Sequence, residues 1–511
     1  MANEIDTIEK KEPAHKKYVL KKRTPLKTDY KVNYEQDLNE KQLEAVMSND
    51  GALLVIAGAG SGKTKTLTYR VARLIEDGTP PQNILLLTFT KKAAQEMLNR
   101  AALVLDNRCE KVAGGTFHSF ANIILRKYAS ALKLNNNFTI MDRADCEDVI
   151  NHIVGQIYPK KEKRFPRKST LLDMYSKSVN KETPTKLIIE EEFPQFEYCT
   201  DKIIEVHKAY VTYKRENSIL DYDDLLLYLK LLLENDEKLR QKIAGEYKYI
   251  MVDEYQDTNT LQADVIKLLS SVHGNIMAVG DDAQSIYSFR GANYRNILDF
   301  PKLFKDTKII KLEQNYRSTQ NILKLTNTII RRAKEKFEKE LFSKIESPLM
   351  PALICAKNTQ MEAEFICQRI LELLDEDVPL DEICVLARNA RMSYSLEMEL
   401  SKRGIPFKKF GGPKFMETAH IKDVAAHLRV IINPDDIISL NRILLLLKGV
   451  GASTVNNIMP IIKGNLEPNI KLLPSSKMTS LAPLLNTLGK ERSKIATKKP
   501  SEIVELLGKV M

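Results

Sequence analysis

ALLVIAGAGSGKTKTLTYRVARLIE occupies residues 52–76. Ala52 to Ile56 form an apolar run of strand length, and from Lys63 to Glu76 apolar residues recur at helical spacing. Between them stands AGAGSGKT (57–64), the strand-to-helix context that a phosphate-binding P-loop requires. Ala57, Gly58, Ala59, Gly60, Ser61 and Gly62 are small enough for backbone N–H groups to close around phosphate oxygens. The N-terminus of the following helix adds partial positive charge. Lys63 is placed to reach the β and γ phosphates of ATP, and Thr64 to offer its hydroxyl to Mg2+. The general pattern begins with Gly, and Ala57 stands there instead. A plain glycine turn would not need Gly62-Lys63-Thr64 in that order.

Outward from the loop, strands and helices alternate. NILLLTFT (83–90) reads as a second strand, with a helix beginning near Lys91. YKYIMVDE (247–254), NIMAVGD (275–281) and TKIIKLEQ (307–314) read as later strands. The alternation predicts an α/β protein with parallel βαβ units and helices on both faces. Ligands of such sheets sit at the carboxyl ends of the strands. At one of those ends, IMVDEYQD (250–257) places two adjacent carboxylates. Asp253 can hold Mg2+, directly or through water, and Glu254 can orient and deprotonate an attacking water. P-loop and acidic strand end together predict Mg-dependent nucleoside triphosphate hydrolysis.

The chain has 511 residues, 43% of them apolar, enough for several buried cores. No apolar run approaches the ~20 residues of a membrane span. A net charge of +11 and a pI near 9.0 favour a polyanionic partner. The six cysteines, with no CxxC pair, suit a reduced chain without structural zinc. Residues 1–35 read as a basic, unfolded arm; KKYVLKKR within it offers a DNA-contacting tail, or a nuclear signal should the source be eukaryotic. No secretory core is present in that arm, and a cytoplasmic location is expected. Residues 120–240 break the βα rhythm and read as a helical insert, whose KKEKRFPRK (160–168) is a phosphate-backbone contact or a solvated loop. A second α/β pattern begins near Lys308, with strands PALICAK (351–357), EICVLAR (382–388) and PFKKFG (406–411) and helices near 359–376 and 393–403. After Gly412 the pattern is helical again.

VGDDAQSIYSFRGAN (279–293) follows a strand end and mixes two chemistries. Gln284 can sense a phosphate or a water. Tyr287, Phe289 and Arg290 can hold a nucleobase and its backbone. The loop is therefore a candidate link between two sites.

With these motifs placed, the chain resembles the UvrD/Rep/PcrA-like DNA helicases of superfamily 1, in motif order from Leu38 to beyond residue 450. LNEKQ (38–42) resembles the adenine-reading motif, which assigns Gln42 to the base edge. TFTKKAAQEM (88–97) and GTFHSF (115–120) resemble strand-contacting motifs, which imply Phe89, Thr90, Lys91, Phe117 and His118 at single-stranded DNA. Taken singly, Phe89 and Phe117 read equally as core rings and His118 as structural. LEQNYRST (312–319) is similar to the motif in which Tyr316 packs on adenine and Arg317 reaches the γ-phosphate. GGPKFMETAHIKD (411–423) looks like the passage into a second helical insert. The resemblance implies two RecA-like P-loop cores with helical inserts: a first core at 36–119 and 241–306 with its insert at 120–240, and a partial second core at 307–415 with a partial insert at 416–511. ATP would bind between the cores, and a DNA strand would step 3′→5′ at duplex junctions. Lys65 stands where the family often has an arginine flanking adenine, and Phe289 where it often has tryptophan. The family's last two motifs have no counterpart in residues 424–511. Two readings follow: an ATP-driven helicase, or a nucleotide-gated DNA-binding subunit with weak turnover that a second chain completes.

Overall fold

A computed structural model describes residues 30–158, 165–389, 392–410, 419–447, 449–464, 478–492 and 500–507. Most of the basic arm, the first five residues of KKEKRFPRK, the start of GGPKFMETAHIKD and the side chain of Arg290 lie outside the described residues. The strands are β1 (Ala52–Ala57), β2 (Ile84–Thr88), β3 (Ala113–Thr116), β4 (Thr139–Ile140), β5 (Ile219–Leu220), β6 (Tyr249–Val252), β7 (Ile276–Gly280), β8 (Lys308–Leu312), β9 (Gln314–Asn315) and β10 (Phe342–Ser343). Among the described residues, six of them form one parallel sheet in the order β3-β2-β6-β7-β1-β8. β4–β5 and β9–β10 are short parallel pairs.

Residue parity along the strands decides the layers. Leu54, Ile56, Leu85, Leu87, Ile250, Val252, Ile276 and Ala278 face one side, against Phe117, Phe120, Leu225, Leu229, Val265 and Phe300. Leu53, Val55, Ile84, Leu86, Met251, Met277 and Val279 face the other, against Leu67, Val71, Leu74, Met97 and Ala101. A sheet covered on both faces needs apolar side chains in both parities, hence the unbroken runs ALLVI and ILLL. This is the P-loop NTPase arrangement, with the ends of β1, β2, β6 and β7 gathered at one edge.

Two expectations about the second core need correction. Lys308–Leu312 was expected to open it, yet the strand pairs with β1 in the first sheet, Leu53 opposite Lys308 through Ala57 opposite Leu312. Ile310 and Leu312 bury against the helix-covered face, and the pairing satisfies the backbone groups along β1's outer edge. The boundary drawn at 306/307 therefore falls before the sheet ends. The segments 351–357, 382–388 and 406–410, expected as strands, carry no ladder among the described residues. Most of their apolar residues face solvent, with Leu353 88%, Leu386 91% and Phe410 84% exposed, while Ile383 packs near Cys367 and Ile370. Strand pattern makes a strand only where a neighbour supplies hydrogen bonds. The helices Thr359–Asp375 and Tyr394–Lys402 do form, and meet through Cys367, Ile370 and Leu400.

The segment 120–240 is mostly helical among the described residues; Phe120, Leu225 and Leu229 pack on the sheet, whereas Ile150, Ile153, Met174, Tyr175, Ile203, Val206 and Tyr210 form a core of their own. Lys214 is buried there, 2.6 Å from both Asp221 and Asp224. Among the described residues, five helices between Ala419 and Leu507 pack around Leu440, Ile443, Leu444, Leu481 and Leu488. Lys422 of this module pairs with Asp142 of the first insert at 2.5 Å. None of the six cysteines forms a disulfide. Among the described residues no helix is long and apolar enough to cross a membrane.

Candidate nucleotide and DNA site

The loop after β1 turns through Gly60 (φ 75°) and Gly62 (φ 87°), a backbone region that disfavours side chains. Space forbids them too. A Cβ on Gly62 would come 2.5 Å from Gln42 Nε2, and one on Gly60 2.8 Å from Arg317 Cβ. Gly62 caps the helix Lys63–Glu76, so its N-terminus opens onto the loop. Lys63 Nζ lies 2.7 Å from Glu254 Oε2 and 3.5 Å from Gln284 Oε1. The ends of β1, β6 and β7 are thereby joined at one point. Glu254 is held at φ 50°, a left-handed conformation that costs a non-glycine residue roughly 1–3 kcal/mol.

The first acidic residue of the strand end behaves differently from the second. Asp253 is 6% exposed, and its Oδ1 has no hydrogen-bond partner. Burial, then the neighbouring Glu254 charge, pushes its carboxyl up to about 7 against the pull of Lys63. Asp257 is raised to about 6 for the same reasons, and its Oδ1 is also unpartnered. A buried carboxylate oxygen without a partner, beside the Thr64 hydroxyl in the same cavity, is a donor set that fits a hard oxygen-seeking cation such as Mg2+.

Across the P-loop, Tyr316 donates its backbone N–H to Gly60 O at 2.9 Å, and its hydroxyl accepts from Asn39 Nδ2 at 2.7 Å. Asn315 Nδ2 donates to Ala59 O at 2.5 Å. These bonds bring Tyr316 and Arg317 beside the P-loop, and the Arg317 side chain is exposed there. Gln42 sits between the P-loop and its own helix cap. Its Nε2 donates to Ser61 O at 3.0 Å and its Oε1 accepts from Asn39 N at 3.2 Å, completing a capping box. Each bond uses one of two donors on Nε2 or one of two lone pairs on Oε1, so a donor and an acceptor remain for a base edge. Lys65 Nζ donates to Asp37 O at 2.5 Å and lies over the Tyr69 ring.

The other end of the site is aromatic. Phe89 and Tyr287 stack at 5.0 Å with 28° between ring planes, and Phe289 follows at 6.0 Å from Tyr287. Phe289 is 60% exposed. Thr90 caps the helix Lys91–Val104 through its hydroxyl, leaving Lys91 exposed at the first turn. One cavity of about 380 Å3 is lined by Thr64, Asp253, Glu254 and Gln284 at one end and by Phe89, Thr90 and Tyr287 at the other. The loop 279–293 therefore borders both sites.

Phe117 is not among these residues. At 4% exposure it is a core ring, packed with Phe120 and Leu225 against the sheet, because the first turn of its helix points inward. Its neighbour His118 meets Tyr222 edge-on at 5.8 Å, and burial depresses its imidazole to about 4.

Other residues at the site escaped the sequence reading. Gln256, fully buried, donates Nε2 to Glu254 Oε2 at 2.8 Å and accepts from Asp281 N at 3.0 Å, bridging the ends of β6 and β7. A Cβ on Gly280 would come 2.5 Å from Gln256 Oε1. Gln256 lies within IMVDEYQD, so spacing could have flagged it. Asn39 and Asn315 likewise lie within LNEKQ and LEQNYRST, whereas Tyr222 carries no signal by itself.

The chain matches the family profile described as UvrD/REP helicase N-terminal domain over residues 38–305 and that of UvrD-like helicase C-terminal domain over residues 310–477. It belongs to the UvrD/REP helicase family. Proteins named ATP-dependent DNA helicase PcrA are similar: that of Staphylococcus aureus is 35% identical over 82% of this chain and 57% of its own length. That of Staphylococcus epidermidis is 36% identical over 83% of this chain and 58% of its own length. The chain thus spans a little under three fifths of these UvrD/REP relatives. The N-terminal match ends just before β8, and the C-terminal match begins inside it.

Proposed function

We propose that this chain is the ATP-hydrolysing and strand-gripping part of a 3′→5′ DNA helicase. The shared cavity, with acidic and P-loop residues at one end and stacked rings at the other, is the observation that carries this reading. The P-loop amides and Lys63 would hold the phosphates of ATP. Thr64 and Asp253 would hold Mg2+, which when bound neutralises charge on the β and γ oxygens. Glu254 would take a proton from the attacking water, released from Lys63 once that lysine turns to phosphate. Arg317 would stabilise charge on the γ-phosphate from the second core. Phe89, Tyr287 and Phe289 offer sequence-tolerant faces to bases, while Lys91 and Arg290 neutralise the backbone. Gln284 and Tyr287 are close in sequence, so nucleotide-driven movement of one carries to the other.

Steady-state ATP hydrolysis with and without oligo-dT tests the reading. Stimulation by DNA that Lys63→Ala and Glu254→Gln abolish is expected. Tight ATP-dependent DNA binding without turnover would favour the gated-subunit alternative. The exposed apolar segments at 351–357, 382–388 and 406–410 support one further part of the proposal. Additional α/β polypeptide, in cis or on a second chain, completes the second core. Native mass spectrometry that finds only a fully active 58.2 kDa monomer would remove that part.

A further inference from the structure

We propose that Lys339 is a positioning residue for ATP hydrolysis, holding Gln284 at the nucleotide site through Asp281 and tying that loop to the start of the second core. The proposal rests on the motor reading above. Lys339 lies between the helix Gln320–Ile330 and β10. Its Nζ is 2.8 Å from Asp281 Oδ1 and 2.5 Å from Asp282 Oδ1. All three side chains are 3–4% exposed. Asp282 Oδ2 also accepts from the Phe337 backbone N–H at 3.3 Å.

From Asp281 the contacts run inward. Its Oδ2 accepts from Gln284 Nε2 at 2.7 Å, and Gln284 Oε1 faces Lys63 Nζ at 3.5 Å. Lys339, Asp281, Gln284 and Lys63 form one continuous polar chain. The same short segment reaches the other motifs as well. Leu341 packs on Gly58 so closely that a side chain on that glycine would collide with it. Phe342 and Ser343 pair with Gln314 and Asn315, immediately before Tyr316 and Arg317. Glu335 accepts from Tyr294 Oη at 2.6 Å and from Arg295 at 2.8 Å, just past 279–293, the coupling loop of this reading. Residues 335–343 thus touch the P-loop, the coupling loop and the strand that leads to Arg317.

Two adjacent buried carboxylates repel unless a cation sits between them. Without Lys339, Asp281 would turn toward solvent and Gln284 would lose its acceptor. Stability alone gives little reason for such a cluster, because well-packed apolar side chains often replace buried ion pairs without loss. Its geometry orients the one amide that faces Lys63 from β7.

The experiment measures DNA-stimulated ATP hydrolysis of Lys339→Gln, of Lys339→Arg, and of Lys339→Gln combined with Gln284→Ala, each after a thermal melt. Lys339→Gln should lower kcat about 10- to 100-fold, the scale of a misplaced catalytic group, with the KM for ATP within about threefold. Lys339→Arg should recover most of the loss. In the Gln284→Ala background Lys339→Gln should add less than about twofold, since its target is already gone. Additive losses, or an equal rise in KM, would overturn the proposal in favour of a structural strut. If Lys339→Gln does not melt cooperatively, Lys339→Met with Asp282→Asn leaves one fewer charge unpaired and carries the same expectations. A wild-type chain that binds ATP and DNA but shows no stimulated hydrolysis refutes the motor reading instead, and the two failures are distinct.

Discussion

Replacing Tyr287 with alanine should weaken single-stranded DNA binding without changing its electrostatics. Tyr287 stacks on Phe89 at 5.0 Å and neighbours Phe289 at 6.0 Å, so it is the middle ring of three. A base held on such a surface is worth roughly 1–3 kcal/mol per stacked ring. At 1.4 kcal/mol per factor of ten, Kd should rise about 5- to 150-fold. The lost Phe89 contact adds about 0.5–1.5 kcal/mol to the folded state's cost, too little to unfold a domain. Fluorescence anisotropy with labelled oligo-dT across a salt series reads both quantities. Ring removal leaves the phosphate contacts in place, so the slope of log Kd against log salt should not move. Lys91→Ala is the contrast: a modest weakening, with the slope reduced by about 0.7. An unchanged Kd for Tyr287→Ala, or a change confined to the salt slope, would refute the assignment of these rings to base stacking.

Three further outcomes follow from burial and charge. Phe117→Ala should lower unfolding free energy by about 3–5 kcal/mol in urea melts, whereas Phe89→Ala should chiefly weaken DNA binding; the reverse would return Phe117 to the DNA face. Lys214→Met should destabilise the insert by about 3–5 kcal/mol, because Asp221 and Asp224 are left buried without their cation. His207 stacks on Tyr175 at 4.2 Å, and burial, with help from Lys214, depresses its imidazole to about 4. The unfolded chain then binds the proton more readily, so stability is present above about 6.5 and falls as pH drops from there toward 4. His207→Phe should flatten part of that slope in thermal melts at pH 7 and pH 5, and an unchanged slope would show that the ring titrates freely.

Local pattern carried most of the candidate nucleotide site. A strand, a small-residue turn and a helix in immediate succession have few physical solutions, and an acidic pair at a strand end can only sit at the sheet's ligand edge. Ala57–Thr64, Asp253, Glu254 and Gln284 were legible for that reason, and the structure joins three of them through Lys63. The ring cluster was half legible. Phe89 and Phe117 each open a segment just after a strand, and nothing local says which ring turns inward. Only the packing of Phe120 and Leu225 against the sheet decides it.

The sequence by itself determined the alternation of strand and helix, the phosphate loop, the acidic strand end and the loop that borders both sites, because each is written in contiguous residues. Tertiary structure alone decided that β8 closes the first sheet, that Gln256 bridges two strand ends, and that Lys339, 57 residues beyond Asp282, is buried against it. It also left three strand-like segments of the second core without a ladder. Those outcomes depend on which distant segment supplies a hydrogen-bond partner or a counter-charge, and that information lies in the assembled fold rather than in any one stretch.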